Sequence, residues 1–198
     1  MMIFKQEKLV FLAVPKTGTS AIEEALRPHA WLVLERPPGI RHMTLARFNR
    51  DFRPQLVADG IAGIEIMAVM REPVSWLGSW YRYRLRDNLT GKPKSTSHVS
   101  FNEFVAAYLA PAPRSSFAAL GSQARQMSDE TGRVAIDHLF RYEDFSSVTG
   151  FLSQRVHQPL ILANINVSEP LPLELSPALH REYQTAYQKD FDLYDSIP

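Results

Sequence analysis

The sequence predicts an α/β fold, with a central, mainly parallel sheet flanked by helices. Three observations carry that expectation. Short apolar runs alternate with stretches of helical spacing along the whole chain. Several runs are apolar throughout, as strands covered on both faces must be. Two of them end in residues suited to anions, and ligands of such sheets bind beyond the carboxyl ends of the strands. At 198 residues and 45% hydrophobic content the chain can bury a real core, and it reads as one domain over 1–198.

The elements follow in order. Leu9–Val14 is a continuous apolar run, read as a buried strand. A helix follows, with Ile22, Ala25 and Leu26 at helical spacing. Ala30–Leu34 is a second strand, stopped by Pro37-Pro38-Gly39, and 43–58 reads as a helix. Gly63–Met70 is a buried strand, and Val74–Leu85 an aromatic-rich helix. The polar stretch 87–100, with Gly and Pro, reads as a mobile loop. Ser100 and Glu103 form the capping-box pattern of a helix over Phe101–Leu109, with a loop at 110–116. Val134–Tyr142 is a strand, and Asp144 or Ser146 starts a helix to about residue 155. Leu160–Ala163 is a last short strand, and Pro177–Lys189 a closing helix.

Composition excludes several chemistries. There is no cysteine, so disulfides, thiolate catalysis and cysteine metal sites are out. Net charge is +1, from 22 basic and 21 acidic residues, so bulk charge predicts no nucleic-acid partner and any anion site is local. No run approaches the ~20 apolar residues of a membrane span. The first run has no cleavage-site pattern after it, so the chain reads as cytoplasmic.

The first strand ends at Pro15-Lys16-Thr17-Gly18-Thr19-Ser20. A loop that opens a helix there presents free amides and the positive end of the helix dipole. Gly18 permits a tight turn, Thr17, Thr19 and Ser20 add hydroxyls, and Lys16 adds a full charge. A phosphate or sulfuryl group requires such a set. The nucleoside-triphosphatase loop needs its lysine after a second glycine, and here lysine precedes the only glycine. The plain alternative is an ordinary strand-to-helix turn. At the second strand end Arg71 precedes Glu72-Pro73, with Ser75 and Ser79 one turn apart on the next helix. Arg71 and Ser79 could grip one phosphate together. Arg71 could instead pair with Glu72 or cap a helix.

Together these motifs resemble those of sulfotransferases that use 3′-phosphoadenosine 5′-phosphosulfate (PAPS). Val14 to Ser20 is similar to their 5′-phosphosulfate loop. Arg71-Glu72-Pro73 with Ser79 is similar to their 3′-phosphate motif. Phe140-Arg141-Tyr142-Glu143-Asp144-Phe145 resembles their late Tyr-Glu-Asp segment. The likeness runs from residue 9 to about 145 and is nearer the carbohydrate, Golgi-type enzymes, in a small bacterial-like form. The Gly-rich C-terminal signature of the cytosolic phenol and steroid enzymes is missing. The resemblance implies a P-loop-like three-layer fold and in-line transfer of a sulfuryl group from PAPS to a hydroxyl or amine. It leaves 3′-phosphoadenosine 5′-phosphate (PAP) as product and needs no metal.

In that reading Lys16 stabilises the leaving phosphate, Thr17, Gly18, Thr19 and Ser20 cradle the 5′-phosphate, and Arg71 and Ser79 hold the 3′-phosphate. His42, in Arg41-His42-Met43-Thr44, matches a Lys-His-x-Thr-like segment whose histidine serves some relatives as base. Glu23 or Glu24 is the fallback, and His138, inside an apolar strand, reads as structural. Trp76, Trp80, Tyr81 and Tyr83 read as core, though one could flank the adenine or the acceptor. Residues 71–94 carry six basic and two acidic side chains, which form a solvated face or guide an anionic acceptor. In similar enzymes a loop at the place of Asn164, Asn166 and Ser168 can touch the nucleotide.

A small molecule or glycan is the implied acceptor, and oligomeric state is unreadable. Two other readings stay open. One is an ATP-dependent small-molecule kinase, with Asp144 as the only candidate for magnesium. The other is a nucleotide-binding protein without catalysis.

Overall fold

In the computed structural model, which describes residues 1–161 and 171–198, the chain opens with a hairpin. β1 (Met2–Phe4) runs antiparallel to β2 (Leu9–Leu12), with Met2 opposite Phe11 and Phe4 opposite Leu9. β1 lay outside the sequence reading, because three residues are too few for a periodicity to show. α1 (Thr19–Leu26) follows and buries Ile22 and Leu26. β3 (Leu32–Val33) pairs antiparallel with β1 and therefore points the same way as β2. Its carboxyl end thus opens on the same edge of the sheet as the loop after β2.

Three short helices come next: α2 (Pro38–Arg41), α3 (Leu45–Asp51) and α4 (Arg53–Ala58). The one helix expected over 43–58 is interrupted at Phe52, because Pro54 has no amide to continue it and sits in the first turn of α4. β4 (Glu65–Met70) pairs parallel with β2, Leu12 lying opposite Ala68. α5 (Pro73–Arg84) is N-capped by Glu72, whose carboxylate accepts from the amides of Val74 and Ser75. The stretch expected to be mobile after it is pinned. Thr96 is fully buried, its hydroxyl donates to the Tyr81 carbonyl at 2.9 Å and its amide to the Arg84 carbonyl at 3.2 Å.

α6 (Phe101–Leu109) carries the expected capping box between Ser100 and Glu103. α7 (Gln123–Gln126) had no sequence signal of its own. β5 (His138–Arg141) pairs parallel with β4 and is shorter than the strand expected from Val134. α8 (Phe145–Arg155) is capped by Asp144. The expected strand at Leu160–Ala163 is irregular at 160–161, and 162–163 lie outside the described residues, as do Asn164, Asn166 and Ser168. The closing helix ends at Ala186 as α9 (Pro177–Ala186), and a turn at Tyr187 leads into α10 (Gln188–Asp195). That turn lets Tyr187 stack on Tyr108 at 4.6 Å while Asp190 reaches the amide of Ala124 at 2.7 Å.

The five strands form one sheet in the order β3-β1-β2-β4-β5. Its centre, β2-β4-β5, is parallel, and β1 adds an antiparallel pairing on one side. Alternate residues of β2 and β4 face opposite sides. Val10, Leu12, Ile66 and Ala68 pack under α3 and α4, whereas Leu9, Phe11, Met67 and Val69 pack under α1 and α8. Both faces are dry, which is why those strands read as unbroken apolar runs. An aromatic cluster built on Tyr108 and Tyr183 joins α5, α6 and α9. Among the described residues no helix is long and apolar enough to cross a membrane.

Asp190 is buried in this last region, with Oδ2 unpartnered, and burial pushes its carboxyl up to about 6. A raised carboxyl binds its proton more tightly in the folded state. Its contribution is therefore intact below the usual carboxylate range and is lost as pH rises through about 6. Removing the charge with Asp190→Asn is expected to flatten that part of the stability profile. By urea denaturation at pH 4.5 and 7.5, the wild-type chain should lose on the order of 1–3 kcal/mol more than the variant. Equal losses in both would show that Asp190 does not titrate there.

Candidate active site

The loop between β2 and α1 is held from three sides. Thr17 is fully buried and its hydroxyl donates to the Val14 carbonyl at 2.8 Å, which closes the turn. The Trp76 indole donates to the Pro15 carbonyl at 2.9 Å. Gly18 sits at φ 75°, where a side chain is strained, and a Cβ there would lie 2.5 Å from the Phe145 ring. Only glycine fits. The first bond onto the helix runs from the Ala21 amide to the Gly18 carbonyl, so the amides before it have no place in the helical ladder. The hydroxyl of Thr17 is withdrawn from the cavity, contrary to the expectation of three hydroxyl donors, and what Thr17 offers is its amide. Gly18, Thr19 and Ser20 line the cavity.

Lys16 itself has φ 68°, an uncommon conformation for a non-glycine residue. Its ammonium lies over the Tyr83 ring at 4.3 Å. Burial above all, with the charges of Arg86, Arg71 and Arg82, lowers its pKa to about 8. A half-buried amine crowded by arginines is a place where an anion relieves repulsion.

Arg71 leaves the end of β4 and is aimed by contacts with four residues. Gln123 in α7 is fully buried and reads its backbone twice. Gln123 Oε1 accepts from the Arg71 amide at 3.0 Å, and its Nε2 donates to the Arg71 carbonyl at 2.8 Å. Arg71 Nε donates to Ser75 Oγ at 2.8 Å, which lays the side chain along α5 toward the buried Ser79. The guanidinium stacks on Tyr142 at 4.3 Å, and Nη1 reaches the Lys16 carbonyl at 3.5 Å. Glu72 is occupied as the α5 cap, and no carboxylate pairs with Arg71 among the described residues.

His42 ends α2 and enters the same cavity from the β3 side. Its Nδ1 lies 2.7 Å from the Ala13 carbonyl. A carbonyl only accepts, so Nδ1 carries the proton and Nε2 keeps a lone pair. Burial lowers the pKa, the bond to Ala13 opposes this, and Arg41 lowers it again. The imidazole is thereby kept neutral at pH 7. Gln126 donates from Nε2 to the Ala13 carbonyl at 3.3 Å and to the His42 carbonyl at 3.2 Å. The short helix α7 thus brackets Arg71 with one glutamine and His42 with another, three residues apart. Neither glutamine carries a local sequence signal, since both act across more than 50 residues.

The remaining candidates fall elsewhere. Glu23 is buried in an ion pair with the Met1 amino group at 2.9 Å and with Arg41, which also donates to Ser20 Oγ at 3.1 Å. Glu24 is exposed, and neither carboxylate lines the cavity. The fallback bases are therefore not at the site, and Glu23 instead braces the loop through Arg41. His138 bonds to Glu65 at 3.0 Å and stacks on Phe151, a structural position. Asp144 accepts from the Ser146 and Ser147 hydroxyls and the Ser147 amide as a helix cap. Trp80 and Tyr83 line the cavity, whereas Trp76 and Tyr81 are core. The basic run 71–94 is not simply a solvated face, because Arg71, Arg82, Arg84, Arg86 and Lys94 line the cavity. Arg84 is buried and donates to the carbonyls of Ser116 and Phe117.

Both strand ends and the His42 segment thus meet in one cavity of about 1130 Å³. No protein-family model matches the chain. A curated protein, NAD(P)H-hydrate epimerase of Nitrosopumilus maritimus (strain SCM1), is 42% identical over 43 residues. That match covers 22% of this chain and 20% of the epimerase, so the chain spans about a fifth of that relative's length. Among solved structures, the chain is similar to the sulfotransferase from Alicyclobacillus acidocaldarius, with 18% identity, a TM-score of 0.48 and coverage of 92% of both chains.

Proposed function

We propose that this protein transfers a sulfuryl group from PAPS to a hydroxyl or amine of an acceptor, with a glycan hydroxyl as the acceptor that the Arg41–Thr44 segment favours. The observation that carries the reading is the meeting of two anion-binding strand ends. Arg71 Nη1 lies 3.5 Å from the Lys16 carbonyl, inside a cavity roomy enough for a nucleotide and a second substrate. A nucleotide with phosphates at both ends of its ribose fits that pair. The amides of Thr17 to Ser20 and the start of α1 receive the 5′-phosphate. Arg71 and Ser79 receive the 3′-phosphate.

The chemistry then asks little of the chain beyond position and charge. His42 Nε2 takes the acceptor proton as the acceptor oxygen or nitrogen bonds to sulfur. Lys16 faces the phosphate oxygen that keeps the electron pair of the breaking S–O bond. Substrate and product both carry their phosphates, so Arg71 and Ser79 act on binding, whereas Lys16 acts on charge that develops in transfer.

The test is a cycle of two nucleotides and one substitution. Arg71→Ala is expected to weaken PAP by about 1.5–3 kcal/mol, roughly 10- to 150-fold, the worth of a charge-assisted bidentate contact. Adenosine 5′-phosphate, which lacks the 3′-phosphate, should weaken far less. Calorimetry with a chelator present reads both. Equal losses for the two nucleotides would remove Arg71 from the 3′-phosphate.

A further inference from the structure

The cavity holds more positive charge than the donor's two phosphate groups call for. Eight of the chain's 22 basic residues line it, against one of its 21 acidic residues. A chain of net charge +1 reaches that ratio only by gathering cations there. Some are spoken for. Lys16 and Arg71 serve the nucleotide, Arg41 pairs with Glu23, and Arg84 is committed to backbone carbonyls. The one acidic lining residue, Glu35, pairs with Arg27. Arg36, Arg82, Arg86 and Lys94 have no carboxylate partner among the described residues.

Arg82, whose pKa is lowered by burial and by the Arg71 charge, stays near Arg71, whereas Arg86 is set further along the chain. Arg71 precedes α5 and Arg86 follows it, and a twelve-residue helix is about 18 Å long. Arg86 thus starts from the opposite end of the helix to Arg71. Arg86 rests on the Tyr83 ring at 4.7 Å, the ring that also carries the Lys16 ammonium. Among the charges that lower the Lys16 pKa, Arg86 has the largest effect. It therefore stands at the transfer end of the cavity, with Lys94 after it in the chain. Arg36 joins from the opposite wall, six residues before His42.

We propose that Arg86, Lys94 and Arg36 form a second oxyanion subsite on the acceptor side. The acceptor then carries a carboxylate, phosphate or sulfate group beside the hydroxyl or amine that is modified. The word acceptor rests on the sulfuryl-transfer reading, whereas the subsite itself does not. Arg36 and Lys94 are exposed, so their share of the attraction falls with salt.

Inorganic pyrophosphate is the probe, titrated by calorimetry at low salt into protein saturated with PAP. Pyrophosphate is expected to bind the PAP complex, and the double substitution Arg86→Ala with Lys94→Ala to weaken it at least about tenfold. PAP affinity in that variant should stay within about threefold of wild type. Lys92→Ala, at an exposed position outside the cavity, should change neither. The proposal is overturned if the PAP complex takes up no pyrophosphate or exchanges PAP for it. It is also overturned if the double variant loses PAP as strongly as Arg71→Ala does, since those cations then belong to the donor. If PAP fails to bind while pyrophosphate binds in an Arg86-dependent way, the sulfuryl-transfer reading falls and the oxyanion subsite stands.

Discussion

His42→Gln is expected to lower turnover about 10²- to 10⁴-fold, the usual worth of a general base, and to leave PAP affinity unchanged. Glutamine keeps a similar size and a polar group near the place of Nε2, but its amide has no basic nitrogen to take a proton. The loss would therefore isolate the proton transfer from the packing. The same geometry sets a pH limb. Burial and Arg41 hold the imidazole below its ordinary value, so the neutral form persists at lower pH. The fall of kcat/KM on the acid side should come below about pH 6.5. An acid limb that persists unchanged in His42→Gln would assign the base to another group.

Lys16→Ala is expected to cost about 10²- to 10³-fold in kcat, the range for removing a donor aimed at developing charge. PAP affinity should fall by a smaller factor, because on the proposed function the loop amides and Arg71 would still hold both phosphates. The split between kcat and binding separates a transition-state contact from a ground-state one. Lys16 also sets the alkaline side of the profile. With its pKa at about 8 in the free protein, the ammonium is lost as pH rises through that value, and kcat/KM should fall with it. A dianion bound beside it raises the pKa, so the limb in kcat itself should lie higher. Full turnover in Lys16→Ala would end the leaving-group assignment.

Features set by residue type and spacing were legible in the sequence, whereas the direction of one side chain, a very short strand and distant contacts were not. The strand, loop and helix over residues 9–26 showed themselves because an apolar run, a glycine and a periodic stretch are all neighbours in the chain. Arg71 was visible because a buried strand ends at Met70 and Pro73 opens the next helix. The Ser100 capping box is local as well. In contrast, the inward turn of Thr17 depends on a carbonyl three residues back, and nothing in its residue type distinguishes it from Thr19. The hairpin partner β1 was hidden by its brevity. Gln123 and Gln126 look like surface residues until the fold sets α7 against two strand ends. The basic run 71–94 was ambiguous for the same reason. Helical spacing says which residues share a face, but not that the face closes a cavity against Arg36 and His42.

Calorimetric titration of the protein with PAP and with adenosine 5′-phosphate, with a chelator present, tests the central claim most directly, because it asks whether one nucleotide spans both strand ends. Two engaged phosphates predict PAP binding without metal, and an affinity for PAP about 10- to 150-fold above that for the nucleotide lacking the 3′-phosphate. Equal affinity for the two, or binding that appears only for ATP with Mg²⁺, would contradict it.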